Sequence, residues 1–398
     1  MLPLLAQLSG SQVNNMKTNT TQQKNIPSGW TQVRVADVLD VNPEQITPQS
    51  SPDDFFQYID IASVKDFKIQ ELKIFTGLQA PGRARRLVRK DDILISNVRP
   101  NLKGICRVPD YSVSTLCSTG FSVVRSRAID HGYAYQVLVQ DDFTNYLVDK
   151  AIGSNYPAIN SDDVANYQFL LPILKEQQKI AEILGTVDED IAKTQEVIKA
   201  TEKLKRGLMQ QLFTRGIRNS EFKISKLGDL CIFKTGKLNS NKAVDGGAYP
   251  FFTCSQETFA IDQYSFDQEA ILLAGNNAAG KYSVKYYDGK FDAYQRTYVI
   301  SVKSEDNLSY PYLKEVLNTR LNELRDSSVG STTKFLTLKL LEKLPISLPP
   351  ISEQREIAEI LVSINEKISV NKKLKAKLTL LKKGLMQDLL SGSVRVQI

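Results

Sequence analysis

Two stretches of this sequence decide its fold: LPILKEQQKIAEIL (Leu171–Leu184) and LPPISEQREIAEIL (Leu348–Leu361), which lie 177 residues apart. The same offset of 177 residues relates RGLMQQLF (Arg206–Phe213) to KGLMQDLL (Lys383–Leu390). Two amphipathic segments that resembled each other by chance would not keep one spacing across two blocks of identity. The sequence therefore predicts an internal duplication, in which a divergent half and a repeated segment each occur twice.

Both repeated segments have the apolar spacing of a long helix. In the first, apolar residues recur at steps of four and three, the seam of a coiled coil: Ile180, Leu184, Val187 and Ile191. The second has the same steps at Ile357, Leu361, Ile364 and Ile368, and again at Leu374, Leu378, Leu381 and Leu385. A helix with one apolar stripe needs a partner for that stripe, so we expect the two copies to pair antiparallel as a coiled coil.

Proline and glycine set the expected limits of these helices. Pro172 and Pro349 precede the two segments, Ser352 is a candidate N-cap, and Gly216 and Gly392 follow the ends. We expect a central helix over residues 172–216 and a C-terminal helix over residues 349–392. The alternative is a non-catalytic scaffold, in which the coiled coil only dimerises the protein.

The divergent halves are rich in predicted strands. Short β-branched runs bounded by Gly, Asn, Asp and Ser, such as DILIS from Asp92 and AILLA from Ala270, are typical of strands. Helical stretches occur at Tyr133–Ile152 and Tyr310–Ser327. The expected fold class is α/β (α+β): two mixed α/β domains, residues 25–171 and 217–348, separated by the two long antiparallel helices in a pseudo-twofold duplication. Residues 1–24 are expected to form a flexible N-terminal tail, with Met16 as an alternative start of the chain.

The composition argues against membrane and zinc proteins. No apolar run approaches the roughly 20 residues that a membrane-spanning helix needs. The four cysteines are far apart and His131 is the only histidine, so a zinc site would lack ligands. We expect buried thiols in a reducing cytoplasm and no membrane partner.

The positive charge is concentrated in one segment. The net charge is +7, and the window Arg83–Arg107 contains eight basic residues, opposed within the window only by Asp91 and Asp92. Its surplus of six positive charges nearly equals that of the whole chain. This distribution favours a polyanionic partner.

Two stretches imitate catalytic motifs. GNNAAGKY (Gly275–Tyr282) approaches a phosphate-binding loop, but Tyr282 replaces the Ser or Thr that binds magnesium. Asp53 with Glu71 and Lys73 matches the loose pattern of a metal-dependent nuclease, but the second half has no counterpart. We therefore expect no catalytic site and no metal site, and a stand-alone nuclease or ATPase remains the alternative.

With its twin LP…EQ…IAEIL…GLMQ segments, each after a divergent half, the chain resembles the specificity subunit of Type I restriction–modification enzymes. The resemblance extends from about Ile26 to the end of the second segment. It implies that each half is a target-recognition domain reading one part of a bipartite double-stranded DNA target. It also implies that the conserved helices scaffold two methyltransferase (modification) subunits and the restriction, or translocase, subunits.

The resemblance further implies a non-catalytic subunit. Methylation and DNA cleavage are expected in the partner subunits, together with S-adenosylmethionine, ATP and Mg²⁺, and no cofactor is expected in this chain. This expectation agrees with the missing catalytic motifs. The resemblance does not extend to individual base contacts, because the halves are the divergent part of the family.

We selected candidate DNA-binding residues by their chemistry. Arginine and lysine neutralise phosphates, arginine pairs with guanine, and asparagine and glutamine suit adenine. The candidates in the first half are Arg83, Arg85, Arg86, Arg89, Arg99, Asn101, Lys103, Asn155 and Tyr156. Those in the second half are Asn276, Asn277, Lys281, Gln295, Arg296, Ser331, Thr332, Thr333 and Lys334, of which the last four follow from the 177-residue offset.

Overall fold

The structure, a computed structural model, describes residues 26–70, 72–218, 222–277 and 280–397. The predicted N-terminal tail, residues 1–24, lies outside the described residues. The chain divides into two compact units: one runs up to Glu189 and includes the segment from Thr379 onward, and the other is Asp190–Leu378. Each unit combines strands and helices, which confirms the predicted fold class.

The first unit contains the N-terminal divergent half. Its strands are β1 (Thr31–Arg34), β2 (Leu39–Val41), β3 (Phe55–Ile59), β4 (Val64–Lys65), β5 (Lys68–Ile69), β6 (Lys73–Thr76), β7 (Ala84–Val88), β8 (Ile93–Ser96), β9 (Ile105–Arg107), β10 (Thr115–Ser118), β11 (Phe121–Ser126) and β12 (Gln168–Leu171). Its helices are α1 (Val35–Val38), α2 (His131–Val139), α3 (Asp141–Lys150), α4 (Ser161–Ala165) and the beginning of α5 (Leu174–Arg215).

Two four-stranded sheets organise this unit. One has the order β6-β3-β10-β7, with β3 and β10 parallel, and the other is the antiparallel sheet β2-β11-β8-β9. The main apolar core joins Trp30 and helix α2 to Ile180 and Leu184 of α5 and to Leu389 near the C-terminus. The long helix is therefore part of the core of the domain that precedes it.

The second unit contains the other divergent half. Its strands are β13 (Lys223–Lys226), β14 (Cys231–Thr235), β15 (Tyr249–Phe252), β16 (Phe259–Ile261), β17 (Phe266–Ala274), β18 (Asn276–Asn277), β19 (Val284–Ala293), β20 (Thr297–Val302), β21 (Lys334–Phe335) and β22 (Pro345–Leu348). Its helices are α6 (Leu227–Leu230), α7 (Tyr310–Asp326), α8 (Leu338–Glu342) and α9 (Ile351–Ser391), and α9 continues into the first unit.

A six-stranded sheet of order β14-β20-β17-β19-β15-β16 dominates the second unit, with β15 and β19 parallel. Its core packs α7 against Leu212 of α5 and against Ile357 and Leu361 of α9. Strand β13 pairs with β22 just as β1 pairs with β12, so each unit ties the start of its domain to the strand that leads into a long helix.

The two long helices run antiparallel within each unit. In the first unit, Asp188 of α5 pairs with Lys382 of α9 at 2.7 Å. In the second, Gln195 of α5 accepts a hydrogen bond from Lys375, and the later Glu202 pairs with the earlier Lys372 at 2.8 Å. Partner numbers on α9 fall as those on α5 rise, which is the signature of an antiparallel pair.

The predicted seams differ in detail from the structure. Ser352 is not an N-cap, because α9 already begins at Ile351, directly after Pro350. The resumed seam of α9 is not fully covered, since Leu374 and Leu381 are 44% and 51% exposed. Thr194, where the spacing of α5 weakens, is buried, and its hydroxyl is satisfied by donating to the backbone oxygen of Asp190.

The predicted helix at Tyr133–Ile152 is in fact two helices, α2 and α3. The chain breaks at Gln140, which is extended with ψ at 159° and precedes α3. Asp141 and Asp142 occupy the first turn of α3, where carboxylates favour the positive end of a helix dipole. The local preference of these acids for a helix start outweighs the apolar periodicity across the break.

Three of the four cysteines, Cys106, Cys117 and Cys231, are buried. Burial raises the pKa of each of these three thiols to about 12, which makes them unreactive small core residues. Among the described helices, none is both long and apolar enough to cross a membrane.

The repeated Glu-Gln pair at the start of each long helix anchors the domain before it. Gln177 accepts a hydrogen bond from the backbone N–H of Asp130 and donates to the oxygen of Pro172, both at 2.8 Å. Gln354 accepts from the backbone N–H of Ser309 and donates to the oxygen of Pro349. Both amides are buried, so each one fixes the chain entering α2 or α7 to a long helix.

The neighbouring carboxylates are buried too, but their partners differ. Glu176 accepts from the indole N–H of Trp30 at 3.0 Å and from the guanidinium of Arg395 at 2.6 Å. Glu353 instead accepts from the backbone N–H of Ile217 at 2.6 Å, just after α5 ends. In both units a buried acid thus binds the segment that follows the partner helix.

We predict that Gln177→Leu destabilises the first unit by about 1–3 kcal/mol for each buried polar group left without a partner. The adjacent Gln178 is exposed, so Gln178→Leu is the matched control and should change the free energy of unfolding by less than about 0.5 kcal/mol. Trp30 is the only tryptophan and lies in this unit, so its fluorescence during denaturant unfolding measures the effect. Equal stability of the two variants would contradict the anchoring role.

Candidate nucleic-acid interface

The same small loop is built in both units. In the first, Ile152 and Ala158 exchange backbone hydrogen bonds of 2.9 and 3.0 Å, and in the second Val329 and Phe335 do so at 3.0 and 2.8 Å. We call these segments, 152–158 and 329–335, the repeat loops. Their corresponding residues are 177 apart, as the sequence predicted for GSNYP and its counterpart.

Each repeat loop pairs with residues that follow a buried strand of its domain, β8 in the first unit and β17 in the second. Ala158 also bridges to Val98, and Phe335 pairs with Asn276 of β18. A glycine with positive φ opens each loop: Gly153 at 109° and Gly330 at 102°. A side chain there would be strained, so these glycines fix the shape of the loop.

In the first unit an arginine stacks on the repeat loop. The guanidinium of Arg99 lies 4.5 Å from the ring centroid of Tyr156 and donates to the backbone oxygen of Asn155 at 3.2 Å. The backbone N–H of Arg99 donates to the oxygen of Pro157 at 2.7 Å. Tyr156 remains 70% exposed, so this cation–π pair presents both a charge and an aromatic surface to a ligand.

In the second unit an arginine from a different position makes a similar contact, with a ring at a different position of the loop. The guanidinium of Arg296 lies 5.3 Å from the ring centroid of Phe335. The backbone oxygen of Arg296 accepts a hydrogen bond from the N–H of Gly275 at 2.8 Å. In the first unit the backbone oxygen of Gly120 accepts the corresponding hydrogen bond from the N–H of Asn97. The two copies thus place a guanidinium over an aromatic ring at their repeat loops from unrelated places in the sequence.

Lys103 closes the turn that Arg99 begins. Its ammonium pairs with the carboxylate of Asp141 at 2.5 Å, and Lys383 of α9 binds the other carboxylate oxygen at 3.0 Å. The hydrogen bond from Lys103, reinforced by that from Lys383, lowers the pKa of the Asp141 carboxyl. The positive charge of Lys103 is therefore largely balanced inside the unit, and Asn101, within the same turn, is exposed.

The other basic candidates of the first half are on or beside β7, in differing environments. Arg83 is exposed, and its backbone oxygen accepts a hydrogen bond from the N–H of Thr119. Arg85 donates to the hydroxyl of Thr47 at 2.9 Å, and Arg89 pairs with Glu44 at 2.8 Å. Arg86 is partly buried, and desolvation lowers its pKa.

The second-half candidates gather around the repeat loop more closely. Asn277 pairs in register with Lys334, and its side-chain oxygen accepts from the backbone N–H of Lys281. Gln295 donates to the side chain of Asn239 at 2.8 Å. The remaining candidates lie within the loop itself: Ser331 and Thr332 are exposed, and Thr333 is partly buried.

Sequence reasoning missed several residues of this surface. Phe335 lies under Arg296, and Asp141 holds Lys103. Two apolar residues are exposed: Leu102 at 67%, in the turn after Arg99, and Ile152 at 79%, at the start of the repeat loop. The 177-residue offset from Ala158 could have identified Phe335. Nothing local to the sequence marks Asp141, because its contact with Lys103 spans 38 residues.

The first of the two motif-like stretches lacks the geometry of a phosphate-binding loop. The stretch after Lys281 forms strand β19, whereas a phosphate-binding loop would lead into a helix. Glu71 lies outside the described residues. Within the described ranges, no group of three or more His, Cys, Asp and Glu side chains is placed to hold a metal ion.

Comparison with known proteins matches one family. The model of the "Type I restriction modification DNA specificity domain" matches residues 27–202 and again residues 219–380, which together make up most of the chain. The Type I restriction enzyme EcoDI specificity subunit of Escherichia coli is 37% identical over 155 residues. That match covers 38% of this chain and 33% of the relative, so this chain spans about a third of that relative's length.

Two solved structures are similar over nearly the whole chain. One, from a study of complex assembly and conformational transition of the type I R-M system, has a TM-score of 0.55 and 25% identity over 93% of this chain and 99% of its own. The other is a Type-I restriction-modification system S subunit from M. genitalium, with a TM-score of 0.66 and 17% identity over 94% of this chain and 98% of its own. The second likeness shows the fold.

We predict that Gly330→Ala opens the second repeat loop. The new Cβ would lie 2.1 Å from the backbone oxygen of Thr333, so the loop must deform, at a cost of about 1–3 kcal/mol. Hydrogen exchange at the amides of Val329 and Phe335 should accelerate. Gly384→Ala is the control, because it lies in a helix with open space around the added Cβ and should be neutral or stabilising; unchanged exchange at Val329 would contradict the prediction.

Proposed function

This chain belongs to the Type I restriction modification DNA specificity domain family, whose role is recognition of a DNA target, and we propose that it reads a bipartite sequence, one half with each domain. The observation that carries this proposal is the repeat loop, which occurs in both domains with a guanidinium stacked on an aromatic ring. A duplicated surface of this kind suits two related half-sites. Its differing side chains suit two different sequences.

The chemistry of the surface fits double-stranded DNA. Arginine can contact phosphates and the O6 and N7 atoms of guanine, and the amides of Asn101 and Asn276 can pair with adenine. Stacking holds Arg99 and Arg296 in fixed orientations, which reduces the entropy lost when they bind a base. We propose that these residues lie at the two DNA interfaces.

The remaining candidates are proposed contacts of three kinds. The residues of the repeat loops are proposed to contact bases or phosphates: Asn155, Tyr156, Ser331, Thr332, Thr333 and Lys334. The polar residues beside the second loop are proposed to support them: Asn277, Lys281 and Gln295. The basic residues Arg83, Arg85, Arg86, Arg89 and Lys103 are proposed to supply the positive field that attracts phosphates, and Arg83 and Arg89 are the exposed ones on or beside β7.

Membership in a family of specificity subunits implies a non-catalytic role. We propose that methylation and cleavage belong to two methyltransferase subunits and to restriction subunits, which would use S-adenosylmethionine, ATP and Mg²⁺, while this chain binds no cofactor. A cytoplasmic location is part of the same proposal. Exposed apolar residues on the long helices of the second unit, Val197 and Leu204 on α5 and Val370 on α9, support docking of partner proteins there.

We expect the purified chain alone neither to methylate nor to cleave DNA, because its proposed role is to direct partner subunits to a sequence. Addition of the methyltransferase subunits and S-adenosylmethionine should produce methylation at one split motif. The measurement is sequencing of methylated bases in genomic DNA, with the methyltransferase subunits alone as the control. Methyl transfer or DNA cleavage by this chain alone would instead support a stand-alone enzyme.

A further inference from the structure

The segment Arg99–Lys103, which we call the Arg99 turn, is held in a strained shape. It contains a single 3₁₀ turn, Pro100–Leu102, and the residues on either side of it are left-handed: φ is 51° at Arg99 and 51° at Lys103. Residues other than glycine rarely adopt this conformation, and each instance costs about 1–3 kcal/mol. Such strain persists only where the surrounding contacts hold it.

Both ends of the turn are braced within the first unit. Arg99 is fixed by its stack on Tyr156 and by its bonds to the backbone of Asn155 and Pro157. Lys103 is fixed by Asp141, which Lys383 holds from the other side. The two charged residues thus brace the turn, and its exposed residues are Arg99, Asn101 and Leu102.

Leu102 is the apolar one of these exposed residues, at 67% exposure. A single exposed leucine is unremarkable on a protein surface. Leu102, however, is at the tip of a strained turn. It follows Asn101, whose amide can pair with adenine, and it lies between Arg99 and Lys103 in the sequence. That setting favours a nucleic-acid ligand over an apolar protein surface, because Arg99 and Lys103 would lose solvation against the latter.

We propose that Leu102 contacts the C5-methyl group of a thymine in the DNA major groove, and so determines one A·T pair of the half-site read by the first domain. Thymine is the only standard base that presents a methyl group there, and apolar side chains are its natural partners. The inference rests on the proposed function and adds a specificity-determining residue to it.

The test uses the complex of this chain with its methyltransferase subunits and a duplex carrying the motif found by methylation sequencing. Each thymine of the first half-site is replaced in turn by uracil, which lacks only the methyl group. Wild-type complex should lose about fourfold in affinity at one position, the value expected for one buried methyl. Leu102→Ala should bind the thymine duplex more weakly and should not distinguish thymine from uracil at that position.

Leu78→Ala is the matched control. Leu78 is also in a 3₁₀ turn of the first unit and is 74% exposed, yet it is outside the Arg99 turn. This variant should keep the wild-type affinity and the full sensitivity to uracil. Uracil in the second half-site should have the same effect on Leu102→Ala as on wild type.

Several results would overturn the inference. They are a first half-site without an A·T pair, no sensitivity of wild type to uracil, or an undiminished uracil effect in Leu102→Ala. Loss of co-purifying methyltransferase subunits in Leu102→Ala, with the uracil effect intact, would identify a protein contact instead. Failure of the proposed function is distinguishable, because the wild-type complex would then not prefer the motif duplex over one of scrambled sequence.

Discussion

The buried Glu-Gln pair at the start of each long helix is the contact on which the rest of the structure depends. Gln177 and Gln354 each bind the backbone just before the main helix of a recognition domain, α2 or α7. The preceding acids, Glu176 and Glu353, bind the segment that follows the other long helix. Because a buried polar group without a partner is costly, these contacts select one position for each domain on its helix. Both the scaffold and the repeat loops depend on that position.

The two copies satisfy the same requirement by different means. The segment after α9 supplies the side chain of Arg395 to Glu176, and Trp30 adds an N–H from the beginning of the described chain. The segment after α5 supplies backbone N–H groups to Glu353. In this way the first unit uses residues from both ends of the described chain, because Trp30 and Arg395 bind the same carboxylate. The same divergence recurs at the repeat loops, where Arg99 and Arg296 stack on rings that occupy different positions of the two loops.

The sequence predicted the features that depend on repetition and periodicity. The 177-residue offset located both repeat loops, and the heptad spacing located α5 and α9, which begin and end within two residues of the expected limits. The sequence could not predict the break at Gln140, where two acids start a new helix. Nor could it predict the contact between Lys103 and Asp141, which depends on tertiary packing. Composition identified a basic window, Arg83–Arg107, but not which of its charges form ion pairs. Arg89 and Lys103 pair with acids that lie outside that window. Charge counts along a chain show how many cations are present, and only the fold shows which are already engaged.

The central claim is that each domain reads its own half of a split DNA target. The most direct measurement is to replace residues 26–171 with the corresponding domain of a relative that has a different target, and to sequence the motif methylated by the reconstituted complex. The replaced segment ends before α5 and keeps Glu176 and Gln177 in place, so the helix side of the anchor is retained. The account predicts a motif in which one half is that of the donor and the other half is unchanged. A motif altered in both halves, in a complex that still methylates DNA, would contradict it.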